Sequence, residues 1–312
     1  MGGMEDELKD LQNLRDTLNL SQPAKGFIEW NVALREGNLV GSLNLTEWGR
    51  VHEPISEMHD VPGTELEECR VKSVARLVIR GVIQYYFDML DRDKGPKEDI
   101  KSEDINITVD MKIWVANVVL VPLSDGLRSS TLSNLGKIVG DFVGEPTPKD
   151  IKHLLKCICE AEKTNYMKDV LLIHPSLYSS CTLSAYVEYL YYYHDILFKH
   201  KNKLNEFLSI VKNIEDGKEW EKNIRSKARN SPSWIDCLDR TIGKVRNYYG
   251  KDYFGGEVGL LIFMRSVVRH YNQKMNMEDM ENELYVMFPE FVSDFVKNLV
   301  KSGKFKDLWL WQ

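Results

Sequence analysis

The run VGLLIFMRSVVRHY, Val258 to Tyr271, is interrupted only by Arg265, Ser266 and Arg269 before its His270-Tyr271 end. It is too long for an ordinary strand and reads as one strongly apolar helix. Such a helix is stable only with most of its surface out of water, so the remaining chain must supply a core around it. On this reading Leu261 and Val268 are buried. Ser266 and His270, at i and i+4, share one exposed face. Arg265 sits one position away, about 100° round the helix, within reach of anything bound at that face.

The 312 residues are enough for two domains of ordinary size. Hydrophobic content of 43% and charged content of 28% exclude extensive disorder. The longest apolar runs, WVANVVLVPL and LLIFM, are too short for a membrane span, so no membrane partner is expected. The acidic N-terminus MGGMEDELKD has no apolar core of a signal peptide, and Asp6 stands where a myristoylation signal has Ser or Thr. Five scattered cysteines form neither a disulfide framework nor a zinc pattern. They suit a reducing compartment, so a cytoplasmic location is expected, with the nucleus as the alternative. The net charge of −6 argues against a general nucleic-acid binder. It is unevenly spread, however: Arg225 to Lys251 holds seven basic residues against two acidic ones, including Arg240, Lys244 and Arg246. Such a belt is compatible with a phosphate-bearing partner and equally with a solvated surface.

Leu8, Leu11, Leu14 and Leu18 give residues 1–22 an amphipathic helical spacing, closed by Pro23 and Gly26. Two similar units follow in residues 23–172, split at 92/93. Asn31 to Arg50 and Asp99 to Leu120 each read as two β-rich runs around a turn. Each precedes an apolar helical segment, SVARLVIRGVIQYYFDML or LSNLGKIVGDFV, which suggests an internal duplication. Residues 173–312 read as all-helical. The Tyr189 to Tyr193 run suits helix packing. Phe288, Phe291, Val292, Phe295, Leu299 and Val300 mark one face of a closing helix. The expected class is α+β.

Four elements in order carry a resemblance: HPSLY (His174 to Tyr178), SWIDCL, YFGGEVGLLIFMRSVVRHY and FPEFVSDFVKNL. Together they resemble the kinase-extension nuclease (KEN) domain of ribonuclease L and the inositol-requiring stress-sensor kinases, across Val170 to Trp309. The resemblance implies a helical nuclease-type domain packed on a kinase C-lobe-like region. It further implies RNA as partner, a homodimer or a heterodimer with a related KEN protein, and no cofactor or metal. RNA cleavage without metal uses the 2′-hydroxyl as nucleophile, and needs a base near the 2′-oxygen to take its proton, an acid for the leaving 5′-oxygen and positive charge on the phosphate. By resemblance these tasks fall to His270, Arg265, Ser266 and the turn residue Tyr253. The basic belt precedes this helix, so Arg240, Lys244 and Arg246, with Arg269, are expected to bind RNA. Two departures stand out. Ser266 replaces the family's Asn, with shorter reach and fewer donors. The acidic residue expected before Leu260 is missing, which rotates the preceding turn by about 100° relative to the helix.

DIKSEDINI resembles a kinase catalytic loop, with Asp99 at the aspartate, Lys101 at the lysine and Asp104 at a metal-binding position. Lys97 and Glu98 replace the usual His-Arg, and Val115-Ala116-Asn117 replaces Asp-Phe-Gly. In the upstream unit Asn31 and Glu47-Trp48-Gly49 take the corresponding places. No glycine-rich loop is found. Phosphoryl transfer needs a cradled, metal-held nucleotide, so neither a nucleotide ligand nor kinase activity is expected. The leading expectation is an endoribonuclease behind a degenerate kinase-like platform. The alternative is a nuclease-dead scaffold that regulates an active relative.

Overall fold

The structure is a computed structural model. It describes residues 42–60, 67–108, 111–161, 167–178, 256–271 and 287–303, together with shorter pieces between 186 and 239 and Leu284. The N-terminal helix expected over residues 1–22 lies outside these residues. Helices predominate and small sheets accompany them, an α+β arrangement at the coarse level. Among the described residues no helix is long and apolar enough to cross a membrane.

Strand β1 (Leu43–Asn44) runs directly into helix α1 (Leu45–His52). The LNLTEWGR run, expected to be β-rich, is therefore mostly helical. The reason is local: Asn44 Oδ1 accepts from the Glu47 N–H at 2.9 Å, while the Glu47 carboxylate accepts from the Asn44 N–H at 3.4 Å. This reciprocal capping box satisfies two otherwise unpartnered donors and starts a helix where the side chains alone suggest a strand. Glu47 and Gly49 are thus helical residues, and Asn31 lies outside the described residues. Strands β2 (Ser56–Asp60) and β3 (Glu67–Val71) then form an antiparallel pair.

Helix α2 (Ser73–Asp91) buries Ala75, Val78, Ile79, Val82, Ile83, Tyr86, Phe87 and Leu90, the three-and-four spacing of one helical face. β4 (Lys94–Pro96) pairs antiparallel with β7 (Leu120–Pro122), and β5 (Ile105–Ile107) lies between β1 and β6 (Ile113–Val115). The hairpin expected after Asp99 is therefore β5 and β6. A Cβ at Gly81 would lie 2.7 Å from the Ile113 side chain, so the bare backbone of α2 lets β6 close onto it.

Helix α3 (Asp125–Val143) is capped by Ser124, whose side chain accepts from the Leu127 N–H at 3.3 Å. Its buried Asn134 joins three elements: the amide oxygen accepts from Tyr86 Oη at 2.5 Å and from the Ile100 N–H at 3.2 Å, and the amide nitrogen donates to the Ile100 carbonyl at 3.0 Å. Helices α4 (Lys149–Glu160) and α5 (Met167–Leu172) follow, then a 3₁₀ turn at Pro175–Leu177. Buried Arg76 braces this region, donating to the carbonyls of Val71 at 2.8 Å and Tyr178 at 2.9 Å, with Asp150 3.7 Å away.

Beyond residue 178 the described elements are helical: α6 (Trp220–Lys227), α7 (Glu257–Tyr271) and α8 (Phe291–Lys301). α8 packs against α5 and the 3₁₀ turn. Phe288, Phe291, Val292, Phe295, Leu299 and Val300 are all buried, as their spacing predicts, in a hydrophobic core that begins at Leu45.

Candidate functional site

Helix α7 follows Gly256, whose φ of 86° is costly for residues with a Cβ. It runs unbroken to Tyr271, one residue longer at its start than the apolar run suggests. Leu260, Leu261, Ile262, Phe263, Met264, Val267 and Val268 are buried. Phe263 packs against Trp220 of α6, with ring centroids 5.3 Å apart. What remains at the solvent edge is the polar interruption: Arg269 is exposed, and Arg265 and Ser266 are half-buried. Ser266 is thus less open than expected. His270 belongs to the helix, and its side chain lies outside the described residues.

The two arginines converge on one carboxylate. Arg269 donates from Nε and Nη2 to the two oxygens of Glu188, at 2.7 and 3.1 Å, a bidentate geometry that gives both strength and orientation. This bonding holds the Arg269 pKa above the ordinary arginine value. Arg265, one turn earlier, has Nε 3.8 Å from the same carboxylate and its guanidinium carbon 4.4 Å above the Tyr191 ring centroid. That Nε is buried and has no hydrogen-bond partner. Two guanidinium groups around one carboxylate leave a net positive charge. Tyr191, from the tyrosine run, serves packing here, as its composition suggests.

Arg240, Lys244, Arg246 and Tyr253 lie outside the described residues. At the start of the basic belt, Arg225 donates to Asp239 at 2.9 Å, so this cation is partly neutralised within the chain.

In the loop DIKSEDINI, Asp99 and Lys101 are exposed. Asp104 is engaged locally: its carboxylate accepts from the Lys101 N–H at 3.2 Å, and its carbonyl accepts from the Ala116 N–H at 2.8 Å and from Asn106 Nδ2 at 3.0 Å. Val115 packs against the core and Asn117 has a φ of 57°.

A second cluster is fully internal. His153 and Cys157 lie on α4, and His174 just precedes the 3₁₀ turn; all three are buried. His153 Nδ1 is 2.8 Å from His174 Nε2 and 3.7 Å from Cys157 Sγ. The outer nitrogens are also engaged, His153 Nε2 with Asp294 Oδ1 at 3.0 Å and His174 Nδ1 with Ser176 Oγ at 2.7 Å. Burial works against a charge on His153, but the hydrogen bond to Asp294 and the Cys157 sulfur override it, and its pKa is raised to about 9. Burial, then the neighbouring charge of His153, holds His174 well below the ordinary histidine range.

Compared with known protein families, with curated proteins and with solved structures, the chain matches none. Sequence reasoning missed Glu188 and Tyr191, because nothing local pairs them with a helix about eighty residues later. It also missed His153, Cys157 and Asp294. The i,i+4 spacing of His153 and Cys157 on an amphipathic run was the available signal.

Proposed function

We propose that this chain is a KEN-type, metal-independent endoribonuclease that cuts single-stranded or loop RNA to a 2′,3′-cyclic phosphate. His270 serves as general acid, Arg265 holds the phosphoryl oxygens, and Ser266 and Tyr253 position the reacting phosphate. Residues 173–312 form the nuclease-type domain, packed on a degenerate, C-lobe-like platform that neither binds nucleotide nor transfers phosphate. Two copies, or this chain and a related KEN protein, act side by side.

One observation carries the reading: a single unbroken helix buries its apolar residues and leaves Arg265, Ser266 and Arg269 at its outer edge, with position 270 one turn beyond Ser266. An arginine at this edge, its guanidinium held over an aromatic ring, is suited to grip phosphoryl oxygens through its terminal nitrogens. The decisive comparison is His270→Ala against the parent on a labelled stem-loop RNA. The variant should bind equally and cut at least about a hundredfold more slowly, the scale of a lost general acid. Equal cutting rates would remove His270 from the mechanism.

A second reading, a nuclease-dead scaffold for an active relative, is favoured by Glu188. Its carboxylate occupies the arginines that the reaction requires. Binding of RNA or of a KEN relative without any cleavage by the parent protein would select it.

A further inference from the structure

We infer that His153, Cys157 and His174 form a binding site for one zinc ion. Helix α4 presents His153 and Cys157 from one face, because residues four apart lie one above the other. The turn after α5 brings in His174, and the three potential ligand atoms all lie within 4.8 Å of one another. Two imidazole nitrogens and a thiol sulfur make a donor set suited to zinc.

The distances fit. With Zn–N near 2.1 Å and Zn–S near 2.3 Å, tetrahedral geometry sets N and S about 3.6 Å apart. The Cys157 Sγ to His153 Nδ1 separation is 3.7 Å. Two nitrogens on the same ion would stand about 3.4 Å apart, so His153 Nδ1 and His174 Nε2, now 2.8 Å apart, separate slightly when the ion binds.

The outer shell fits as well. Metal-binding histidines usually donate their far N–H to a carboxylate or another oxygen, which fixes the ring and the tautomer. Asp294 Oδ1 and Ser176 Oγ lie at those two far nitrogens. In the zinc-bound form His174 Nδ1 donates to Ser176 Oγ, and the Ser176 N–H gives up its 3.3 Å contact with that nitrogen.

Charge balances. The ion's two positive charges meet the Cys157 thiolate and the Asp294 carboxylate. Lys297, the cation nearby, lies 2.6 Å from Glu160 and is neutralised by it. Binding releases the Cys157 thiol proton, and any proton on the inward histidine nitrogens, to solvent. A water takes the fourth position. A site this enclosed joins α4 to the turn after α5 and, through Asp294, to α8, independently of the RNA reading.

The test is titration of the chelator-treated full chain with Co²⁺, read by absorption. One equivalent should produce a thiolate-to-cobalt charge-transfer band and the visible bands of a tetrahedral ion. Cys157→Ser should lose the charge-transfer band, whereas Cys159→Ser, two residues away and exposed, should keep it. Asp294→Asn should retain the band with affinity about 10- to 100-fold lower. Should Cys157→Ser fail to fold, the parent, Cys159→Ser and Asp294→Asn decide the matter. No band in folded parent protein, a band that disappears with Cys159, or unchanged affinity in Asp294→Asn overturns the site.

Discussion

Arg269 clasps Glu188 through two hydrogen bonds, of 2.7 and 3.1 Å, and so fixes a carboxylate beside the outer edge of α7. Arg265 shares that carboxylate at 3.8 Å. A phosphate arriving at this edge must either displace Glu188 or use the positive charge that one carboxylate leaves unbalanced. Among the described residues, Glu188 is therefore placed to tune any anion binding at this edge of α7.

Glu188→Gln should tighten RNA binding. A partly exposed ion pair is worth up to about 1 kcal/mol, so the expected gain is up to roughly fivefold. Stability should fall by no more than a similar amount. Fluorescence anisotropy with a labelled RNA measures the first, and a denaturant melt the second. An affinity that does not move would mean that these arginines do not touch the RNA.

The basic belt supplies a second expectation. Replacing Arg240, Lys244 and Arg246 by Ala should weaken binding to all RNAs alike, because phosphate contacts carry no sequence information. The slope of log K against log salt should flatten by about 0.7 for each lost contact to a single strand. Gel-shift titrations at two salt concentrations suffice. Sequence-dependent losses, or an unchanged slope, would place these residues outside the interface.

Stability of the region around α2 and α4 should depend on Arg76. Its side chain and that of Asp150 are almost fully buried, and its other donors serve two backbone carbonyls. Arg76→Ala should cost about 3–5 kcal/mol, since it leaves a buried carboxylate without its cation. Lysine should not rescue it, because one ammonium cannot reproduce the forked donors. Urea unfolding of the three proteins tests this, and a loss below about 1 kcal/mol would show that water already serves Asp150.

Kinase activity should be absent. Asp104 is held by the Lys101 N–H, and Val115 packs on the core where a magnesium carboxylate would be needed. Incubation with γ-labelled ATP should transfer no label to the chain or to a generic substrate. Transfer that disappears in Asp99→Asn would contradict this.

The helical faces of α7 and α8 were legible because apolar residues recur at helical spacing and burial follows that spacing. Helix α1 was not, since β-prone side chains in LNLTEWGR point one way and the Asn44–Glu47 capping box points the other. Among the candidate site residues, Arg265, Ser266 and Arg269 could be located from the α7 pattern alone. Their relation to Glu188 could not, because pairing between distant segments leaves no periodic trace. The same holds for Asp294, which meets His153 across 141 positions.

The most direct test of the nuclease reading is cleavage of a 5′-labelled stem-loop RNA with excess EDTA, using protein whose circular dichroism the chelator leaves unchanged. Attack by the RNA's own 2′-hydroxyl needs acid–base groups and positive charge, and no metal. The predicted result is loop cleavage that persists in EDTA, leaves a 2′,3′-cyclic phosphate and is lost in His270→Ala. Intact RNA, or cleavage that stops with EDTA and leaves other ends, would contradict it.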